Sequence, residues 1–195
     1  MRHRVEEFLV WLASTNHAVA TVRNHRTGLT RFLAWCTVQI IVEPMGITPA
    51  AIEEYRMALY AAQRENGSRL GWATQGEYLG TVKSFVRWCH RRGLIAGDPG
   101  AELILPRRPF RLPLGVLNAA EVELVLRQAD HRTVIGLRDR AMLELFYSTG
   151  LRRAEVAHLR VADLDLTRGV VLVRAGKGQR DRVTPIGRRA IRWIV

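Results

Sequence analysis

Apolar residues recur along the first half of the chain at the spacing of one helix face. In "MRHRVEEFLVWLAS" they fall at Val5, Phe8, Leu9 and Leu12, an i, i+3, i+4, i+7 set. Val22, Leu29, Phe32, Leu33 and Cys36 share a second face. Leu79, Val82, Phe85, Val86 and Cys89 share a third, in a helix that Gly93 ends. Between these, "TPAAIEEYRMALYAAQ" opens a helix with Thr48 as N-cap and Pro49 at the first helical position. The echo F-x-x-W-C at 32–36 and 85–89 reads as two helix ends packed in one small bundle, not as a repeat array.

The pattern breaks at residues 98–115, "DPGAELILPRRPFRLPLG". Pro99, Pro106, Pro109 and Pro113 lie here, and proline removes backbone donors and restricts the residue before it. The composition predicts an extended, semi-stiff linker. Helices are expected next near 118–130 and 136–149, with a third just after Gly150. The period then changes. "GVVLVRAGKGQRDRVTPIG" has a β-branched run, a Gly-rich centre and a second short apolar run, a β-hairpin signal with Lys177 at or beside the turn. "RRAIRWIV" reads as a helix. The chain therefore divides into a helical unit over 1–97, a linker over 98–115 and a mixed α/β unit over 116–195. The whole is mainly α with a small β-hairpin or sheet.

Charge changes the picture more than composition does. The net charge is +12 and the isoelectric point near 11.1. A basic excess of this size favours a polyanionic partner, most simply nucleic acid. Residues 1–97 carry 12 basic and 7 acidic side chains, and residues 116–195 carry 15 and 9, so both units are basic. No stretch approaches the roughly 18 consecutive apolar residues of a membrane span, and the basic N-terminus is an amphipathic helix, not a signal peptide. A membrane partner is not expected; a cytoplasmic, nucleoid-associated location is. Cys36 and Cys89 lack a Cys/His ligand set and read as reduced core thiols, so a zinc site is not expected.

The chemistry-bearing residues cluster in "YSTGLRRAEVAHLRVADLDLTRGVVLVRAGKGQRDRVTPIG". Gly150 permits a sharp entry into a helix whose first turn would hold Arg152 and Arg153, a favoured place for a phosphate. Glu155 stands three residues after Arg152, placed to orient its guanidinium. Lys177 is one of two lysines, with Lys83, among 30 basic residues. A P-loop is excluded, because Val171 and Gly178 occupy positions that motif gives to glycine and to serine or threonine. What lysine offers over arginine is a proton it can release at accessible pH, as a general acid requires. The candidate DNA contacts are Arg23 and Arg26 in the helical unit, Arg107 and Arg108 in the linker, and Arg153, Arg180 and Arg182 around the helix start and the hairpin.

The T-G-L-R-x-x-E element, the G-K-G hairpin about 25 residues later and "RVTPIG" together resemble the first half of the catalytic domain of the tyrosine recombinase (phage-integrase) family. The helical unit resembles that family's core-binding, SAM-like domain. The resemblance implies that Arg152 is the first catalytic arginine, that Glu155 steadies it, and that Lys177 is the general acid toward the leaving 5′-oxygen. It implies site-specific cleavage and rejoining of DNA through a phosphotyrosine, without metal or high-energy cofactor. Duplex DNA and further recombinase protomers in a synaptic complex are the implied partners, with the two units closing around the DNA.

The chain departs from the family pattern after the hairpin. None of its six histidines has arginine three positions on, and Tyr55, Tyr60, Tyr78 and Tyr147 all precede Arg152. Tyr147 is expected to serve packing, and no nucleophile is identified. The expectation is a truncated gene product, a fragment or a remnant, ending before its nucleophile and inactive alone. The alternatives are a DNA-binding modulator of an intact recombinase and a remnant without function.

Overall fold

The computed structural model describes residues 1–64, 66–107, 115–174, 176 and 180–195. They form eight helices and one small sheet in two compact units, residues 1–111 and 112–195. The expected class, mainly α with a small sheet, is what the chain adopts.

The first unit is built on α1 (Arg2–Ser14), α2 (Val19–Val38), α3 (Pro49–Ala61) and α4 (Trp72–Arg91). Its core contains most of the residues that the apolar pattern singled out, with Val22 and Leu33 half-buried against it. Val5, Phe8, Leu9 and Leu12 are buried, as are Leu29, Phe32 and Cys36, while Leu79, Val82, Phe85, Val86 and Cys89 are wholly so. Each large apolar side chain buried in this way stabilises by about 1.5–3 kcal/mol. The two halves of the F-x-x-W-C echo do the same job: Phe32 stacks on Trp35 and Phe85 on Trp88. Phe8 of α1 meets Phe85 edge-on at 5.7 Å between ring centroids. Burial pushes both thiols, Cys36 and Cys89, up to about 12, so they pack as neutral apolar groups. Thr48 caps α3 through its hydroxyl, which accepts from Ala51 N–H at 3.1 Å.

The Pro-rich stretch does not begin as an extended linker. Residues 99–102 turn back, and Leu103 packs on the first core. Lys83 of α4 holds this turn by donating to the carbonyls of Ala101 and Leu103, at 3.2 and 3.0 Å. A flexible ammonium with three donors suits two diverging carbonyls. Arg87 pairs with Asp98 at its start.

The second unit contains α5 (Ala119–Leu126), α6 (Val134–Thr149), the short α7 (Arg153–Ala157) and α8 (Arg188–Ile194). Its sheet is antiparallel, in the order β1 (Leu164–Asp165), β2 (Val170–Val173), β3 (Arg182–Pro185). Val171 pairs with Leu164 on one side and Thr184 on the other. Leu145, Leu151, Val156, Val171, Val173, Ile186 and Ala190 form its core. Helix α5 starts at a full capping box made by Asn118 and Glu121 and stops four residues short of the expected end. Helix α6 starts two residues early, capped by Thr133. Among the described residues no helix is long and apolar enough to cross a membrane.

Candidate functional site

Arg152 is placed by how α6 ends. Gly150 caps that helix in the left-handed region, at φ 63°, where a β-carbon is strained. Its N–H returns to the Phe146 carbonyl at 2.9 Å. Leu151 then anchors the turn in the core, and Arg152 follows as an extended N-cap with an exposed side chain. The expectation had Arg152 inside the first turn; it stands just outside, and Arg153 is the first helical residue. Helix α7 has five residues, so its dipole adds little. What this point offers an anion is the Arg152 guanidinium itself.

Glu155 is nearly buried, with 7% of its side chain exposed, and is shared by two arginines. Arg152 donates to it twice, from its backbone N–H to Oε2 at 2.8 Å and from Nη1 to Oε1 at 3.1 Å. Arg182 of β3 donates from Nη1 to Oε1 at 2.9 Å and from Nη2 to Oε2 at 2.7 Å. The Arg182 bonds, then the Arg152 N–H, hold the carboxyl down at about 2. A carboxyl depressed on folding adds stability above its unfolded value, near 4.5, and that stability is lost as the pH falls from there to about 2. Glu155→Gln is therefore expected to lower the melting temperature of the second unit at pH 7. The difference should shrink below pH 4.5 and close near pH 2; thermal melts of both chains across that range check it. A difference that stays constant with pH would show that ionised Glu155 contributes nothing.

Gly176 lies against this pair. A β-carbon there would stand 2.6 Å from Nη1 of Arg182 and 3.2 Å from Oε1 of Glu155. The glycine before residue 177 thus lets the hairpin backbone pass over the carboxylate, and its N–H donates to the Arg180 carbonyl at 3.0 Å. Lys177 itself, and Arg108, lie outside the described residues.

The structure sorts the other candidate arginines. Arg23, Arg107, Arg153 and Arg180 are exposed. Arg26 is not a free cation: it forms a two-point pair with Glu6 of α1, at 2.6 and 3.0 Å. Arg182 is likewise committed, to Glu155. Tyr147 corrects its expectation too, since it is 56% exposed and not a packing residue.

Residues of α2 and α4 line a groove of about 400 Å³. Its walls carry Thr21, Asn24, His25 and Thr27 on one side and Gly76, Glu77, Tyr78, Gly80, Thr81 and Ser84 on the other.

Sequence reasoning missed two features. It took "RVTPIG" as a second apolar run, yet Val183 is 63% exposed and the half-buried face of β3 carries Arg182 and Thr184. The strand period of two was the available signal. It also missed a buried cluster in which Glu144 accepts from both Arg140 and Arg189. No metal-binding group of three or more His, Cys, Asp or Glu side chains occurs among the described residues.

Residues 116–195 match the phage integrase family. The chain is 43% identical over 183 residues to tyrosine recombinase XerC 2 of Ralstonia nicotianae, covering 94% of this chain and 53% of that one. It is 35% identical over 192 residues to tyrosine recombinase XerD of Vibrio cholerae, covering 97% and 60%. The chain thus spans little more than half the length of these curated relatives. Its fold is similar to that of lambda integrase 75–356, solved as a dimer bound to a COC′ core site. The TM-score is 0.65 at 17% identity, over 98% of this chain and 62% of that one. It is also similar to the XerH recombinase bound to a palindromic difH substrate, with TM-score 0.64 at 18% identity, over 91% and 51%.

Proposed function

The chain belongs to the phage integrase family, the tyrosine recombinases, and from that premise we propose that it binds duplex DNA and grips a strand phosphate with Arg152. The observation that carries the reading is the state of that arginine. Its guanidinium is exposed, yet it is tethered through Nη1 to a carboxylate that ionises at about 2. A planar cation held at one corner presents its remaining donors to a phosphate in a fixed direction.

In this reading Lys177 delivers a proton to the leaving oxygen when the reaction occurs, and Glu155 orients Arg152. Arg23, Arg107, Arg153 and Arg180 contact backbone phosphates, supported by their exposure. Further protomers share the DNA, by analogy with the lambda integrase dimer bound to its core site. Phosphate contacts of this kind position the protein, and base-edge contacts would supply the sequence preference.

The 195-residue chain holds no tyrosine after Arg152 and no His-x-x-Arg. It is therefore expected to bind without forming a covalent bond to DNA. Incubation with a nicked duplex, followed by denaturing electrophoresis, should leave no protein–DNA band. Arg152→Ala should weaken binding in a mobility-shift assay by about tenfold, the scale of a charged hydrogen bond. A band that survives denaturation would reveal a nucleophile among Tyr55, Tyr60, Tyr78 and Tyr147. Unchanged affinity in Arg152→Ala would sink the phosphate grip.

A further inference from the structure

We infer that Arg182 is a positioning residue whose task is to occupy Glu155, so that the charge of Arg152 stays available to a phosphate. The inference rests on the phosphate-gripping reading of Arg152 and names the residue that makes it work.

Two guanidiniums and one carboxylate meet here, and the carboxylate does not treat them alike. Arg182 engages both oxygens with two nitrogens, at 2.9 and 2.7 Å. That parallel two-point geometry is the strong arginine–carboxylate pairing. Arg152 engages one oxygen with one guanidinium nitrogen, at 3.1 Å, and its second contact comes from the backbone. Exposure follows the same order: 57% of the Arg152 side chain is open to solvent against 38% for Arg182. The three groups sum to one positive charge, and that charge sits on the more exposed, more weakly held guanidinium.

Without Arg182 the balance changes. Arg152 and Glu155 alone sum to zero, and the carboxylate is free to turn and take Arg152 at two points. A phosphate would then have to displace a carboxylate to reach its cation. Arg182 prevents this from another element, 27 residues further along the chain, where β3 holds it opposite Val173. Gly176 preserves the arrangement, because any β-carbon there would intrude on Nη1 of Arg182. Arg182 thus sets the charge of the site without touching DNA.

A cycle of substitutions separates this role from a direct contact or a packing role. The probe is a duplex of about 30 base pairs, read by fluorescence anisotropy at low salt where phosphate contacts dominate. Arg152→Ala and Arg182→Gln are each expected to weaken binding about tenfold or more. Adding Glu155→Gln to Arg182→Gln should recover at least about threefold of the affinity lost in Arg182→Gln, because the two residues act as one unit, with the remaining deficit set by the weakened tether on Arg152. The glutamine still accepts the Arg152 N–H but no longer carries the charge that captures the guanidinium. If Arg182 touched DNA or only braced the hairpin, the double variant would stay as weak as Arg182→Gln, and the inference would fail. Parental affinity in Arg182→Gln would also overturn it. Parental affinity in Arg152→Ala would overturn this inference and the phosphate grip together. Weak binding by Arg152→Ala with no rescue in the double variant would overturn this inference alone. Should Arg182→Gln fail to fold, circular dichroism will show it and Arg182→Lys, which keeps a charge but loses the two-point fork, decides: weakened binding that Glu155→Gln partly reverses supports the role, and any other result ends it.

Discussion

Raising the salt from 50 to 200 mM is expected to weaken the binding of this chain to duplex DNA by roughly 10³–10⁵-fold. The reasoning starts from surplus charge, not from the number of arginines. Many of the arginines are already answered by carboxylates within the fold, among them Arg26 by Glu6, Arg140 by Glu144 and Arg182 by Glu155. What remains is a net +12, with +5 from residues 1–97 and +6 from residues 116–195. If most of that surplus meets phosphates, about 6–10 contacts form, and each releases a condensed counterion. The logarithm of affinity should then fall linearly with the logarithm of salt, with a slope of about −5 to −9. Single substitutions refine the count. Arg23→Ala, at an exposed site, should reduce the slope by about 1, whereas Arg26→Ala should reduce it less, because Arg26 is already occupied by Glu6 and has no phosphate contact to lose. Anisotropy titrations at four or five salt concentrations measure it. Binding that ignores salt over this range would show that the surplus charge faces solvent only.

The contrast between Arg23 and Arg26 shows what the sequence could and could not disclose. Both sit off the apolar face of α2, and nothing in their spacing separates them. Only the packing of α1 beside α2 brings Glu6 to Arg26, 20 positions away in sequence. The apolar faces themselves were legible because Val5, Phe8, Phe32, Phe85 and their neighbours repeat at the helical period and have nowhere to go but inward. Helix α6 was placed two residues late for the opposite reason. Val134 and Ile135 are 84% and 64% exposed, so its first turn is apolar without being buried. The hairpin was legible from its Gly-rich centre, but two-residue β1 was too short to leave a pattern. In the candidate site, Arg152 and Glu155 could be paired by their three-residue spacing. Arg182 could not, since its tie to Glu155 depends on which face of β3 turns inward. The charge of Arg182 on that face is balanced by the nearly buried carboxylate of Glu155.

The same logic gives the largest expected loss of stability, at Glu144. This carboxylate is 1% exposed, on α6, in the second unit. Its Oε1 accepts from Arg140 Nε and Nη2 at 3.1 and 2.7 Å, and from Arg189 Nε and Nη2 at 3.0 and 2.8 Å. Arg189 lies on α8 and also pairs with Glu123 on α5, so one residue's charge links three helices. Arg140 is itself buried, stacked over the Trp193 ring at 4.6 Å. Removing the carboxylate leaves that guanidinium in a poorly solvated place with no counter-charge on its own helix face. Breaking a buried pair in this way costs about 3–5 kcal/mol, and Glu144→Ala should lose that much. Replacing the pair together, as Arg140→Met with Glu144→Leu, should cost much less, because no charge is then stranded; Arg189 keeps Glu123. Trp193 is a local reporter, since the other four tryptophans, Trp11, Trp35, Trp72 and Trp88, belong to the first unit. Urea unfolding followed by fluorine resonance of fluorotryptophan-labelled chain resolves it. A loss below about 1 kcal/mol in Glu144→Ala would mean that water reaches Arg140 readily and that the cluster is only a surface pair. The consequence reaches the site through α6. Ser148 on its last turn accepts from Gly187 N–H at 2.7 Å, and Gly150 two residues later delivers the chain to Arg152. A helix loosened at Glu144 should therefore weaken DNA binding as well as the fold, and the paired apolar replacement should restore both together.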